Sequence, residues 1–281
     1  MSDEIFLRTY SVDMQQISDV KITTSGQTNN YVSLLKTSTG SRVLVWEQLQ
    51  GSSYGIYCLE SKDGAWDETK KQRIGSVSSA SYCPKAVLMG DNIIAIAYTT
   101  GGKNIYCMRR RLSSSGYPLW LGPDVLIVSL SNTISSYYDL QWDSHTNSLF
   151  FIYLNDSNLA VLKRSMDQGK TWVTCSISGN VIKKHPQVQV TDSASNIHVA
   201  GFDTTTSKIV GQKIGTVANN FNYTVKSNQL SANISALYAN LPEQSVSLKY
   251  ERDINAVRVF FYDKYSIVQS LQSLDGGWSW S

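Results

Sequence analysis

Residues 165–172 read SMDQGKTW, and the same spacing returns at 273–280 in SLDGGWSW. The repeated positions are Ser165, Asp167, Gly169 and Trp172 in one copy, and Ser273, Asp275, Gly277 and Trp280 in the other. Worn versions occur elsewhere: SKDGAW keeps Asp63 and Trp66 in shortened form, SSSGYPLW ends on Trp120 without the acid, and a fourth keeps only Gly215 before Phe221. Such a stretch suits a tight turn. Short polar side chains accept from nearby backbone N–H groups, and glycine enters conformations closed to other residues.

Around the octets runs a repeat of about fifty residues. Its landmark is a β-rich run ending in an aromatic: SRVLVW, NIIAIAY, SLFFIY, NIHVAGF and AVRVFFY, closing at Trp46, Tyr98, Tyr153, Phe202 and Tyr262 with steps of 52, 55, 49 and 60 residues. A half-alternating strand and a turn precede each run, as in YVSLLKTSTG and PQVQVTDSASN. Another strand follows each, and Ile56-Tyr57-Cys58 against Ile105-Tyr106-Cys107 supports the register. Apolar runs of four to seven β-branched and aromatic residues, punctuated by Gly, Ser, Asn and Asp, predict an all-β chain. Four strands per unit of this length fit a β-propeller blade. The repeats fall at about 31–81, 82–135, 136–184, 185–241 and 242–281 of a single domain, with 1–30 as a closure segment. Five antiparallel blades are expected, with a sixth, partial one left open by the unassigned residues 18–30. EIFLRTYSV at 4–12 is expected to supply the outer strand missing from the last blade and so remove a sheet edge.

The octet, placed at the turn between the third and fourth strands of a unit, resembles the Asp-box (BNR repeat) of sialidase-like β-propellers over roughly residues 31–281. The resemblance implies a folding device, in which Asp accepts from turn N–H groups, Gly takes an unusual backbone angle and Trp packs between blades. It also implies that the octets lie on one face of the disc and a binding site on the opposite one. The loops expected there carry Tyr54, Tyr82, Tyr137, Tyr138, His185, Tyr238 and Tyr265, with polar Gln48, Asn155, Asp156, Asp203 and Asp263. Tyrosine offers a flat apolar face and a hydroxyl, which suits stacking on sugar rings.

Sialidases of this fold hold a substrate carboxylate with three arginines and use a Tyr–Glu nucleophile with an Asp acid–base. This sequence matches poorly: an Arg-Ile-Pro signature is absent, and Tyr250-Glu251-Arg252 falls at the octet end of its unit. Gly51-Ser52-Ser53-Tyr54-Gly55 fits G-x-S-x-G but joins two strands, so no nucleophile elbow forms. His145, His185 and His198 are too scattered for a metal site or triad. No catalytic residue, metal or cofactor is expected.

Composition narrows the classes further. A formal charge of +3, from 25 basic and 22 acidic residues, gives no reason to expect a nucleic-acid partner. Arg109, Arg110 and Arg111 alternate sides of a strand and are expected to form a solvated face rather than one patch. Cys58, Cys83, Cys107 and Cys175 lack C-x-x-C spacing and read as buried free thiols. Without a long apolar run or an apolar leader, a soluble chain with no signal peptide and no membrane insertion is expected. The expected function is non-catalytic carbohydrate binding, with glycans or glycoproteins as partners. The alternatives are a structural, protein-binding propeller among the subunits of a virion, phage tail or other assembly, and a sialidase-like glycoside hydrolase.

Overall fold

The computed structural model describes residues 4–10, 16–23, 26–38, 40–61, 65–74, 81–90, 92–112, 119–132, 138–175, 177, 182–191, 197–203, 205, 208–216, 223–228, 246–262 and 268–274. The chain divides into two compact units, residues 1–129 and 130–281.

In the first unit, β1 (Phe6–Tyr10) pairs antiparallel with β2 (Gln16–Lys21). The sequence left most of β2 unassigned. The next sheet is a meander of β3 (Asn29–Lys36), β4 (Arg42–Gln50), β5 (Ser53–Glu60) and β6 (Gln72–Arg73), in that order. The following sheet runs β7 (Ser81–Met89), β8 (Ile93–Thr100) and β9 (Asn104–Arg111); β10 (Leu119–Trp120) and β11 (Val125–Ser129) both pair with β9.

The second unit repeats the plan. One sheet is β12 (Tyr138–Asp143), β13 (Ser148–Leu154), β14 (Ala160–Ser165) and β15 (Val173–Cys175). Another is β16 (Lys184–Val190), β17 (Ile197–Asp203), β18 (Lys208–Thr216) and β19 (Tyr223–Asn228). The last described sheet is β20 (Val246–Glu251), β21 (Ala256–Tyr262) and β22 (Val268–Ser273). The five aromatic-ending runs are β4, β8, β13, β17 and β21, the second strand of each meander. Closure of the last sheet by the N-terminal strand involves residues 275–281, which lie outside the described residues.

Within each unit, successive sheets pack face to face. Strand β7 lies against β3, β4 and β5, and β16 lies against β12 and β13 and also β20. Strand β4 faces one cluster through Val43 and Val45 and another through Leu44 and Trp46, and β17 faces one through Ile197 and Val199 and another through Ala200 and Phe202; β8 and β13 are likewise buried almost throughout, which demands apolar residues on both faces. Val43, Val45, Ile56 and Cys58 meet Ile94, Ile96, Tyr98 and Met108 in the first unit. Phe150, Ile152 and Leu162 meet Val188, Val199 and Val210 in the second. On the other side of β4, Trp46, Tyr57 and Leu59 pack with Ile5 and Ile22 flanking the N-terminal hairpin. All four cysteines are buried and free, as the sequence suggested.

The arginine run departs from expectation. Alternation along β9 holds, but only Arg111 is exposed. Arg109 is buried, and Arg110 donates to the Ile74 carbonyl at 2.9 Å and lies 4.0 Å from Asp124. Packing on the neighbouring sheet, where Arg110 meets the Ile74 carbonyl, takes up positions that alternation alone would leave to solvent.

Candidate functional site

The octet at 165–172 is a closed turn. Asp167 Oδ1 accepts from Ser165 Oγ at 2.8 Å, Lys170 N at 3.0 Å and Thr171 N at 2.9 Å, and Oδ2 accepts from Thr171 Oγ1 at 2.7 Å. Ser165 Oγ in turn accepts from Gly169 N at 2.7 Å, while Gly169 sits at φ 89°. Burial works against the charged carboxyl, yet the hydrogen bonds from Thr171, Ser165 and Lys170 outweigh it and hold Asp167 below its ordinary range. Three bonds converge on Oδ1 and one on Oδ2, so most of the carboxylate's accepting capacity is spent within this turn. Trp172 meets Phe151 of its own sheet edge-on, with centroids 6.1 Å apart. Ser61, Ser165 and Ser273 are all buried at the end of the third strand of their sheets, and Trp66 packs on the Trp46 cluster. Trp120 lies in β10 opposite Arg110. Asp63, Asp275, Gly277 and Trp280 lie outside the described residues.

The turn between β12 and β13 and the octet after β14 share one end of their sheet, since Asp143 pairs with Ser148 and Leu149 with Ser165. The loop at 155–159 occupies the opposite end. Its polar residues are engaged in turn building: Asn155 Oδ1 accepts from Ser157 N and Leu159 N, and Asp156 accepts from Ser131 N and Asn132 N. Asp203 accepts from Thr205 N, and Gln48 donates to Asn29 Oδ1 inside the first unit.

Of the tyrosine candidates, the structure brings two together. Tyr54 is the second residue of β5 and Tyr82 the second of β7, and their half-buried rings meet at 5.6 Å and 54°. Two local devices set them there. The β4–β5 hairpin turns on Gly51-Ser52, with Gly51 at φ 63° in the first central position that a type II′ turn reserves for glycine. The G-x-S-x-G match is thus a hairpin, as its context implied. Tyr82 is placed by a β-bulge between Tyr82 and Lys85, where Cys83 takes φ 54°. The buried carboxylate of Glu47, from β4, accepts the Cys83 N–H at 2.7 Å and ties the bulge to the neighbouring sheet. Strand alternation puts Glu47 and Tyr54 on the same face of β4 and β5, the one packed on β7.

The other candidates fare differently. Tyr138 is 1% exposed and packs on Phe151 at 5.5 Å, so it is a core residue of β12 rather than a loop aromatic open to a ligand. His185 is 4% exposed, at φ 49° in the bulge of β16, which likewise corrects its reading as a loop side chain open to a ligand. The strand holding His185 starts at Lys184, ahead of the PQVQV run, and Tyr138 is itself the first residue of β12, so packing takes both side chains in. Tyr137, Tyr238, Tyr265 and Asp263 lie outside the described residues. Tyr250 donates to Asn255 Oδ1 and Glu251 pairs with Arg258 at 3.3 Å, so the two are not coupled as a nucleophile pair. Among the described residues no cluster of His, Cys, Asp or Glu could hold a metal ion, and no helix is long and apolar enough to cross a membrane.

Sequence reading missed Glu47, whose role depends on a strand from the next repeat. It also missed Arg73, whose guanidinium rests on Gly55.

No family model matches the sequence, and no curated protein matches it. Solved structures do. A protein of unknown function from Dyadobacter fermentans matches with TM-score 0.58 at 13% identity, over 91% of this chain and 82% of that one. The SapL1 lectin, solved in complex with alpha methyl fucoside, matches with TM-score 0.57 at 11% identity, over 89% and 78%. The Trypanosoma rangeli sialidase matches with TM-score 0.57 at 9% identity, over 96% of this chain and 50% of that one. The fold is propeller-like. At these identities the likeness extends to the fold alone, and function must be argued from the site.

Proposed function

We propose that this protein is a non-catalytic carbohydrate-binding β-propeller of the Asp-box type. Five four-stranded blades form its single domain, with the N-terminal strand closing the last. The observation that carries the binding proposal is the Tyr54–Tyr82 pair, half-buried at the end of its sheets away from the octet position and held by a glycine turn and a braced bulge. Two tilted aromatic faces beside hydroxyls suit the apolar face and the equatorial hydroxyls of a sugar ring. Likeness in fold to a lectin solved with a fucoside supports the reading. Glycans or glycoproteins are the partners it implies.

Catalysis is not part of the proposal, because Tyr250 and Glu251 are each engaged elsewhere and at the octet end. The test is a glycan array run beside a fluorogenic sialoside assay. Binding that falls in Tyr54→Ala and Tyr82→Ala, with no turnover, supports the lectin reading. Turnover would replace it with the glycosidase. Absence of glycan binding at millimolar concentrations would leave the assembly role.

A further inference from the structure

Arg73 lies in the short outer strand β6, directly opposite Tyr57 of β5. Its side chain crosses the backbone of Gly55: a Cβ built there would stand 2.7 Å from Arg73 Nε, 3.1 Å from Cζ and 3.3 Å from Nη2. Gly55 has no left-handed backbone angle, so what glycine supplies here is room for the guanidinium. Arg73 Nε is buried and has no hydrogen-bond partner, and among the described residues no carboxylate pairs with this side chain.

An arginine usually reaches the surface to meet an acid or water; here packing fixes its plane first. That is unusual, because an unmet buried N–H costs about 1–3 kcal/mol. Around it stand groups suited to one kind of ligand. The Tyr57 hydroxyl donates to Gln50 Oε1, which leaves the Gln50 amide nitrogen of this exposed side chain to donate outward. Lys71 Nζ lies 5.8 Å from the Tyr57 ring centroid and 3.1 Å from Glu68 Oε1. Arg73 and Lys71 carry two positive charges against the one of Glu68, so the notch keeps a net positive charge. From its place opposite Tyr57 the Arg73 side chain runs over Gly55 towards the Gly51-Ser52 end of the hairpin, on the face of β5 opposite to Tyr54, because Tyr54 and Gly55 are consecutive along the strand.

We propose that the notch over Gly55 is a second binding site that takes a carboxylate, such as that of an acidic sugar, on the Arg73 guanidinium. With Nε buried, the outer pair of Nη groups is the fork that donates to a two-oxygen partner, a geometry that a point charge matches less well. Gln50 supplies a further donor. The site does not depend on the Tyr54–Tyr82 pair.

The test uses the full chain labelled with nitrogen-15 and the arginine Nε–Hε resonances, titrated with D-galacturonate and, separately, with D-galactose as the neutral counterpart. The Arg73 signal is identified as the one missing from Arg73→Gln. The expected result is a saturable shift of that signal with galacturonate and none with galactose. Arg73→Lys, which keeps the charge and loses the fork, should bind galacturonate about tenfold more weakly by ligand-observed titration. This second variant also serves if Arg73→Gln does not fold. The double variant Tyr54→Ala, Tyr82→Ala should retain the response, which separates this site from the proposed glycan pair. An unmoved Arg73 signal, an equal shift with galactose, unchanged affinity in Arg73→Lys or loss of the response in the tyrosine variant would each overturn the proposal.

Discussion

Replacing Asp167 with alanine tests whether the octet is a folding device. The carboxylate accepts four hydrogen bonds, from Ser165 Oγ, Lys170 N, Thr171 N and Thr171 Oγ1, at 2.7 to 3.0 Å. A hydrogen bond to a charged group contributes about 1.5–3 kcal/mol net when sheltered. Lys170 and Thr171 are exposed, so water takes over much of their loss, whereas Ser165 is fully buried and its hydroxyl loses an acceptor inside. The expected cost of Asp167→Ala is therefore about 2–3 kcal/mol, well below the simple sum. Asp167→Asn keeps an oxygen at the Oδ1 position, where three of the four bonds converge, and should cost about 1 kcal/mol. Urea unfolding followed by tryptophan fluorescence measures both, since Trp172 ends the same turn. Equal and near-zero effects in the two variants would refute the reasoning. So would loss of ligand binding at unchanged stability, which would make the octet a site after all.

Other outcomes follow from the same geometry. Removing one ring of the Tyr54–Tyr82 pair should weaken glycan binding by about 1–2 kcal/mol, or roughly five- to thirtyfold, read on the array hits by calorimetry. Glu47→Ala strands the buried Cys83 N–H and should cost about 2–3 kcal/mol while also lowering glycan affinity, because the bulge that presents Tyr82 loosens; Glu47→Gln, which keeps an acceptor, should be milder in both assays. Burial, helped by the charge of Lys213, lowers the pKa of His198 from 6.5 to about 4. Between these values the unfolded chain binds the proton and the folded chain does not, so stability is fully present above 6.5 and falls as the pH drops towards 4, by at most roughly 3 kcal/mol. Unfolding midpoints across that range should lose this slope in His198→Gln. Burial pushes the Cys58 and Cys107 thiols up to about 12, so neither should react with a thiol-specific disulfide reagent until the protein unfolds.

The sequence by itself determined the strands and their order. Each aromatic-ending run became the second strand of a meander, since a strand packed on its faces is largely apolar, and five such runs at near-equal steps leave little choice of register. The octet at 165–172 was legible for a related reason: every hydrogen bond of its carboxylate closes within four residues, so local chemistry suffices. The strand at 16–21 was missed because it follows a segment outside the repeat, with no second copy to mark it.

Only the tertiary structure decided which candidate residues meet. Tyr54 and Tyr82 belong to different repeats, and their contact depends on the packing of β7 on β5 and on a bulge braced from 36 residues away by Glu47. Nothing in the spacing separates them from Tyr138, which the same repeat logic placed in a loop and which packing drew into the core. Arg73 carries no mark in the sequence, because the room that Gly55 leaves under its guanidinium exists only once β6 pairs with β5. Local turns answer to neighbouring residues and can be read along the chain. Contacts between sheets answer to side-chain volume and strand phase at once, and these meet only when the sheets pack.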